Sequence, residues 1–146
     1  MKEKTFEIAI EQKHEFSVQD LNDLVCSALE GGINYWVHKA VIKLDADKNY
    51  FGVAPEDQDK VDYASDVVGY GGTLVLFNME SDDDGTDKTP IEYKKTWELT
   101  QEKLLKGIKM HCVNRNIVLK DLLDNHDSDD ADAITQYAIF GEIVFG

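Results

Sequence analysis

An α+β fold in a single domain over residues 1–146 is what this sequence predicts, on three observations. The 146-residue length and 42% hydrophobic content suit one self-sufficient core. Short runs alternate apolar and polar residues with the period of a half-buried strand. Other runs place apolar residues three and four apart behind a capping residue, as surface helices do. The expected architecture is a mainly antiparallel sheet of three to five strands, packed by about three helices near residues 17–30, 100–114 and 129–140, with Trp36 and Leu104 buried.

The elements follow in order. Between Thr5 and Phe16, Phe6, Ile8 and Ile10 alternate with Glu7 and Glu11, so a first strand is expected there. Ser17 then caps a helix, with Asp20 three positions on and Val18, Leu21, Leu24, Val25, Ala28 and Leu29 as its apolar stripe; Gly31 stops it. Beyond Gly31-Gly32, Tyr35 to Leu44 reads as a second strand with Trp36, Ala40, Ile42 and Leu44 on one face. Asp45 to Lys60 is polar and contains Pro55, so it is expected to be a loop. Thr73 to Met79 and Thr96 to Leu99 read as a hairpin whose long tip is the acidic insert between them. Thr100 caps a helix with Leu104, Leu105, Ile108 and Cys112 inward, a shorter helical piece covers Ile117 to Leu123, and Ser128 or Asp129 opens the last helix.

Charge is the unusual property. The chain has 29 Asp and Glu against 15 Lys and Arg, a formal net of -14, and Arg115 is its single arginine. A field of that sign repels phosphate backbones and anionic membranes and draws in basic protein surfaces. Direct nucleic-acid or membrane binding is therefore not expected. Cys26 and Cys112 lie in apolar helical patterns and read as reduced core residues. The N-terminal residues carry no apolar run of signal-peptide length, and no stretch approaches the ~20 residues of a membrane span, so a cytoplasmic address is expected.

Motifs for chemistry fail on inspection. Asp45, Asp47, Asn49 and Glu56 fit positions 1, 3, 5 and 12 of a calcium loop, but Tyr50 stands where that loop needs glycine. The four histidines and two cysteines show no zinc spacing. There is no nucleophile elbow, and Gly69-Tyr-Gly71-Gly72 lacks the residues of a phosphate loop. The expectation is no metal, no cofactor and no catalytic residue.

What remains is acidic clustering. One group is Glu56, Asp57, Asp59, Asp62 and Asp66; a second includes Asp82, Asp83 and Asp84; the third is Asp121, Asp124, Asp127, Asp129, Asp130 and Asp132. The third and second are the expected partner-binding residues, because carboxylates held in line can occupy a groove built for phosphates. Solvation and helix capping are the plainer uses of the same residues.

Two segments carry a resemblance. Ala28-Leu-Glu-Gly-Gly-Ile-Asn-Tyr-Trp36 and the ending Phe140-Gly-Glu-Ile-Val-Phe-Gly146 are similar to motifs in a family of small phage and prophage proteins. They frame the chain, whereas its middle carries no such likeness. Both read most economically as fold signatures; the alternative is a ligand pocket lined by Asn34, Tyr35, Trp36 and Glu142. A phage origin implies counter-defence, by inhibiting a CRISPR-type nuclease through charge mimicry. Sequestration of a nucleotide signal, or a part in virion structure or assembly, are the other roles it leaves open.

Overall fold

The computed structural model describes residues 4–8, 14–45, 52–78 and 95–146. Within them lie helices α1 (Val18–Ser27), α2 (Gln101–Arg115), α3 (Leu119–Asn125) and α4 (Ser128–Phe140). Strands β1 (Lys39–Ile42), β2 (Leu74–Asn78) and β3 (Lys95–Leu99) form an antiparallel sheet in the order β1-β2-β3. The result is the expected α+β architecture around one hydrophobic core.

The register sorts the side chains of the sheet. Ile42 pairs with Leu74 and Leu74 with Leu99; Ala40 pairs with Leu76 and Leu76 with Trp97. These six residues share one face and join the core, where Leu74, Leu76 and Leu99 are fully buried. The helices supply the other side through Leu21, Leu24 and Val25 of α1, Leu104 and Ile108 of α2, and Ile134 and Ala138 of α4. Trp36 and Leu104 are each only 1% exposed, as expected from their positions in the pattern.

Local chemistry fixes the helix ends. The Ser17 hydroxyl accepts from the Asp20 amide at 3.2 Å and the Asp20 carboxylate accepts from the Ser17 amide at 2.9 Å, a reciprocal cap on α1. Thr100 caps α2 by accepting from the Lys103 amide, and α2 ends at Asn116 in the left-handed conformation (φ 52°), which asparagine tolerates better than most residues. Gly107, in the middle of α2, lies against α4: a Cβ there would overlap the Ile134 carbonyl oxygen.

Three sequence expectations are corrected. The strand expected over Thr5–Phe16 does not form in its described parts: residues 4–8 belong to no strand, with Phe6 90% and Ile8 82% exposed, and residues 9–13 lie outside the described residues. Alternation shows which side chains would share a face; it does not supply a neighbouring strand. The second strand is shorter than Tyr35–Leu44, because the Trp36 and Val37 amides bond back to the Ile33 carbonyl (3.0 and 2.8 Å) and are not free to join a ladder. Leu44 accordingly leaves the inner face and is 63% exposed.

The third correction concerns the glycines that follow α1. The helix does not stop at Gly31 but widens into a π-helical turn over Ala28–Gly32, closed by an Ile33 amide bond to the Ala28 carbonyl at 3.0 Å. Gly31 is exposed with open space beside it, whereas a Cβ on Gly32 would stand 2.6 Å from the Ser128 carbonyl oxygen. Gly32 therefore permits the π-turn to touch the start of α4.

Between β1 and β2, Pro55–Lys60 forms a 3-10 turn, and Val53 before it is fully buried. Residues 46–51 of the near-calcium loop, including Asp47, Asn49 and Tyr50, lie outside the described residues, as does the β2–β3 tip at 79–94. Among the described residues no helix is long and apolar enough to cross a membrane.

Candidate functional site

The third acidic cluster, from Asp121 to Asp132, folds into the corner between α3 and α4, and the structure divides its carboxylates into two sets. Asp127 caps α4: its carboxylate accepts from the Asp130 amide at 2.9 Å, and the Asp130 carboxylate accepts from the Asp127 amide at 3.1 Å. The other Asp130 oxygen takes a 2.8 Å hydrogen bond from His111 Nε2, with His111 only 1% exposed on α2. Burial alone would raise the Asp130 carboxyl, but the His111 and Asp127 hydrogen bonds outweigh it and hold the group below the ordinary carboxylate range.

Asp132, two residues further along α4, holds three donors. Its Oδ2 accepts from the Tyr35 hydroxyl at 2.6 Å; its Oδ1 accepts from Trp36 Nε1 at 2.7 Å and from Gln136 Nε2 at 2.9 Å. Burial, and then the adjacent Asp132 carboxylate, push the Tyr35 phenol up to about 12. Gln136, 1% exposed, extends the network: its Oε1 accepts from the Val144 and Phe145 amides at 2.8 Å each, and its Nε2 donates to the Phe145 carbonyl at 3.2 Å. Phe145 then stacks on Trp36, with ring centroids 5.0 Å apart and planes 10° from parallel; Trp97 and Phe140 complete the aromatic cluster.

These contacts bring the two sequence motifs together. Of the residues expected as an alternative pocket lining, Asn34, Tyr35, Trp36 and Glu142, Trp36 is closed off by three aromatic rings and its one donor is taken by Asp132. Asn34 and Glu142 are exposed, and Tyr35 is turned into the Asp132 network. One motif supplies Tyr35 and Trp36, the other Phe145, and α4 joins them through Asp132 and Gln136.

The same geometry divides the expected partner-binding set. Asp127, Asp130 and Asp132 are ligands of the fold itself, while Asp121, Asp124 and Asp129 are exposed. Asp121 and Asp124 are three apart on α3 and so share a side of it, and Asp129 sits in the first turn of α4. Asp82, Asp83 and Asp84 lie outside the described residues. The first cluster divides likewise: Asp66 accepts from the Asp62 and Tyr63 amides, Asp57 pairs with Lys60 at 3.1 Å, and Glu56, Asp59 and Asp62 are exposed.

A Ser–His contact also reaches this corner. Ser27 at the end of α1 lies 2.9 Å, Oγ to Nε2, from His126 between α3 and α4. A hydroxyl beside an imidazole is the start of a nucleophile and base pair. Here, however, the His126 Nδ1 is buried with no partner among the described residues, so no acid orients the ring. The contact ties α1 to the corner. Neither thiol is activated: Cys26 and Cys112 are free, and burial raises both above the ordinary thiol range, aided by Glu30 and Asp130 respectively. Among the described residues no three His, Cys, Asp or Glu side chains converge as metal ligands.

Sequence reasoning missed His111 and Gln136, the two buried polar residues that anchor this corner. Their signal was weak: each is a polar residue set among inward-facing positions of a helix. The chain matches no family model, no curated protein and no solved structure.

Proposed function

We propose that the protein is a non-catalytic inhibitor that docks on a basic protein surface through the α3–α4 corner. The observation that carries this reading is the division of labour among its aspartates. Asp127, Asp130 and Asp132 hold the corner in shape, leaving Asp121, Asp124 and Asp129 exposed on a supported frame. Fixed charges lose less conformational entropy on meeting a cation than charges on a floppy loop, and the net of -14 speeds encounter with any positive groove.

The chemistry that recognises such a surface is a row of Lys and Arg spaced for phosphates. The resemblance to phage proteins directs the choice to a nucleic-acid-binding defence nuclease of the host, of the CRISPR effector type, met in the host cytoplasm. Binding there excludes the nucleic acid by competing for the same cations. The reaction of the nuclease stops without any chemistry on the inhibitor.

The test is a nuclease inhibition assay with the triple variant Asp121→Asn, Asp124→Asn, Asp129→Asn, which removes three charges and leaves the hydrogen bonds of Asp127, Asp130 and Asp132 in place. The variant should melt like the parent and inhibit about tenfold less well or worse. Raising salt from ~50 to ~300 mM should weaken the parent complex, as screening of exposed charges requires. Equal inhibition by variant and parent, or indifference to salt, would refute the reading.

A further inference from the structure

The segment after α4 is held by the rest of the chain as a short peptide ligand would be. Gly141, in the left-handed conformation (φ 73°), ends α4 with its amide bonded to the Tyr137 carbonyl at 3.0 Å, and nothing lies within 4 Å of a Cβ added there. Beyond this hinge Glu142 is exposed, and Ile143 and Val144 are 49 and 51% exposed. The hold begins at the Val144 and Phe145 amides, which donate to Gln136 Oε1, and at the Phe145 ring. That ring meets three others: it stacks on Trp36 and lies 5.8 Å from Phe140 and 6.4 Å from Trp97, centroid to centroid.

The seat is organised by contacts that do not involve this segment. Trp36, Trp97 and Phe140 pack on one another with centroids 5.7, 5.6 and 5.2 Å apart. Gln136 Nε2 donates to Asp132 Oδ1 at 2.9 Å and to the Tyr35 hydroxyl at 3.2 Å, which orients its amide. Groups fixed in this way lose little freedom on meeting a ligand. What they read is common to extended peptides, namely two backbone amides, one backbone carbonyl and one aromatic ring. We propose that residues 142–146 are a displaceable strap, and that the seat beneath it takes in trans an extended peptide of a partner protein bearing an aromatic side chain. The occupant seen in cis defines that chemistry, Gly141 is the hinge, and the exposed stretch at Glu142 and Ile143 is where displacement starts. A tethered strap competes at an effective concentration of about millimolar, so it shuts out weak ligands and yields to a peptide that binds more tightly. The contacts are apolar and backbone in kind, unlike the charge-driven docking of the α3–α4 corner.

The probe is an acetylated peptide with the sequence of Gly141 to Gly146, titrated into the parent and into Phe145→Ala while tryptophan emission is read. The variant should bind it and recover the emission of the parent. The parent should bind it about tenfold more weakly or worse, since its own strap competes. A peptide with alanine in place of the phenylalanine should bind neither, and ~0.5 M salt should leave the variant's affinity unchanged. Hydrogen exchange tests the parent without any substitution. The Val144 and Phe145 amides should exchange about tenfold faster or more than those of Ile134 and Ala138, at a rate insensitive to low urea, as local opening requires. Strap amides that exchange only together with those of α4, a folded Phe145→Ala chain that does not bind the peptide, or equal binding by parent and variant would each overturn the proposal. So would a parent dimer in light scattering that Phe145→Ala abolishes, which would give the seat to the strap of a second copy.

Discussion

The side-chain amide of Gln136 pairs with the backbone of Phe145 at both ends, its oxygen accepting from the Phe145 amide at 2.8 Å and its nitrogen donating to the Phe145 carbonyl at 3.2 Å. A side chain on α4 therefore does for the tail what a neighbouring strand would do, and it seats the Phe145 ring on Trp36.

Gln136→Ala leaves the Val144 amide and both polar groups of Phe145 without their partner. A buried group stripped of its bond costs about 1–3 kcal/mol, partly recovered here by water entering at the tail. The expected loss is about 3 kcal/mol in urea unfolding, with a blue-to-red shift of Trp36 emission as the tail detaches. A loss under about 0.5 kcal/mol would mean the tail is held by Phe145 packing alone.

Gly31→Ala and Gly32→Ala should part company. At Gly31 nothing lies within 4 Å of an added Cβ, so the melt should move little. At Gly32 the Cβ would meet the Ser128 carbonyl at 2.6 Å, and both sides of that contact are backbone. Separating them should cost about 2 kcal/mol or more. Equal melting temperatures for the two variants would contradict the packing described for the π-turn.

Tyr35 gives the fold an alkaline weakness. Its phenol is pushed up to about 12, above the ordinary value of 10.0 that it regains on unfolding. Between those values the folded chain keeps a proton that the unfolded chain has lost, so stability falls as pH rises through this window. Asp132→Asn should lower the phenol in an ultraviolet titration, but only part of the way, since burial raises it as well. An unchanged titration would show that Asp132 does not act on Tyr35.

Asp130 works in the opposite sense. Its carboxyl is held below the ordinary value of 3.8, so the stability it contributes is present above that value and lost as pH falls through the lower, folded one. Asp130→Asn should destabilise at neutral pH, where His111 loses a charged acceptor, and the gap from the parent should close in strong acid. A gap independent of pH would assign the loss to helix capping rather than to the His111 pair.

What the sequence made legible was local. Ser17 with Asp20, and Thr100 ahead of Leu104, announce helix starts because a cap acts on an amide three residues away. Thr73 to Met79 and Thr96 to Leu99 announce strands that do pair. The Asp127 and Asp130 box obeys the same local rule but was masked by the acids around it, since composition cannot distinguish a capping carboxylate from a free one. Asp132 was beyond any local rule: its partners Tyr35 and Trp36 are 97 and 96 residues away in sequence. The alternation of Phe6 and Ile8 was legible and yet did not become a strand of this sheet, because periodicity carries no information about which edge receives it.

The aromatic stack of Trp36 on Phe145 also sets an order of events during synthesis. A nascent chain can form α1 and the β1–β2 pairing early, but its Trp36 stays unlidded until the ribosome has added residue 145. Contacts of such long range close late, after the loop entropy between them has been overcome. A chain stalled a few codons short would thus present an open aromatic socket, the kind of surface that chaperones and proteases read as unfinished.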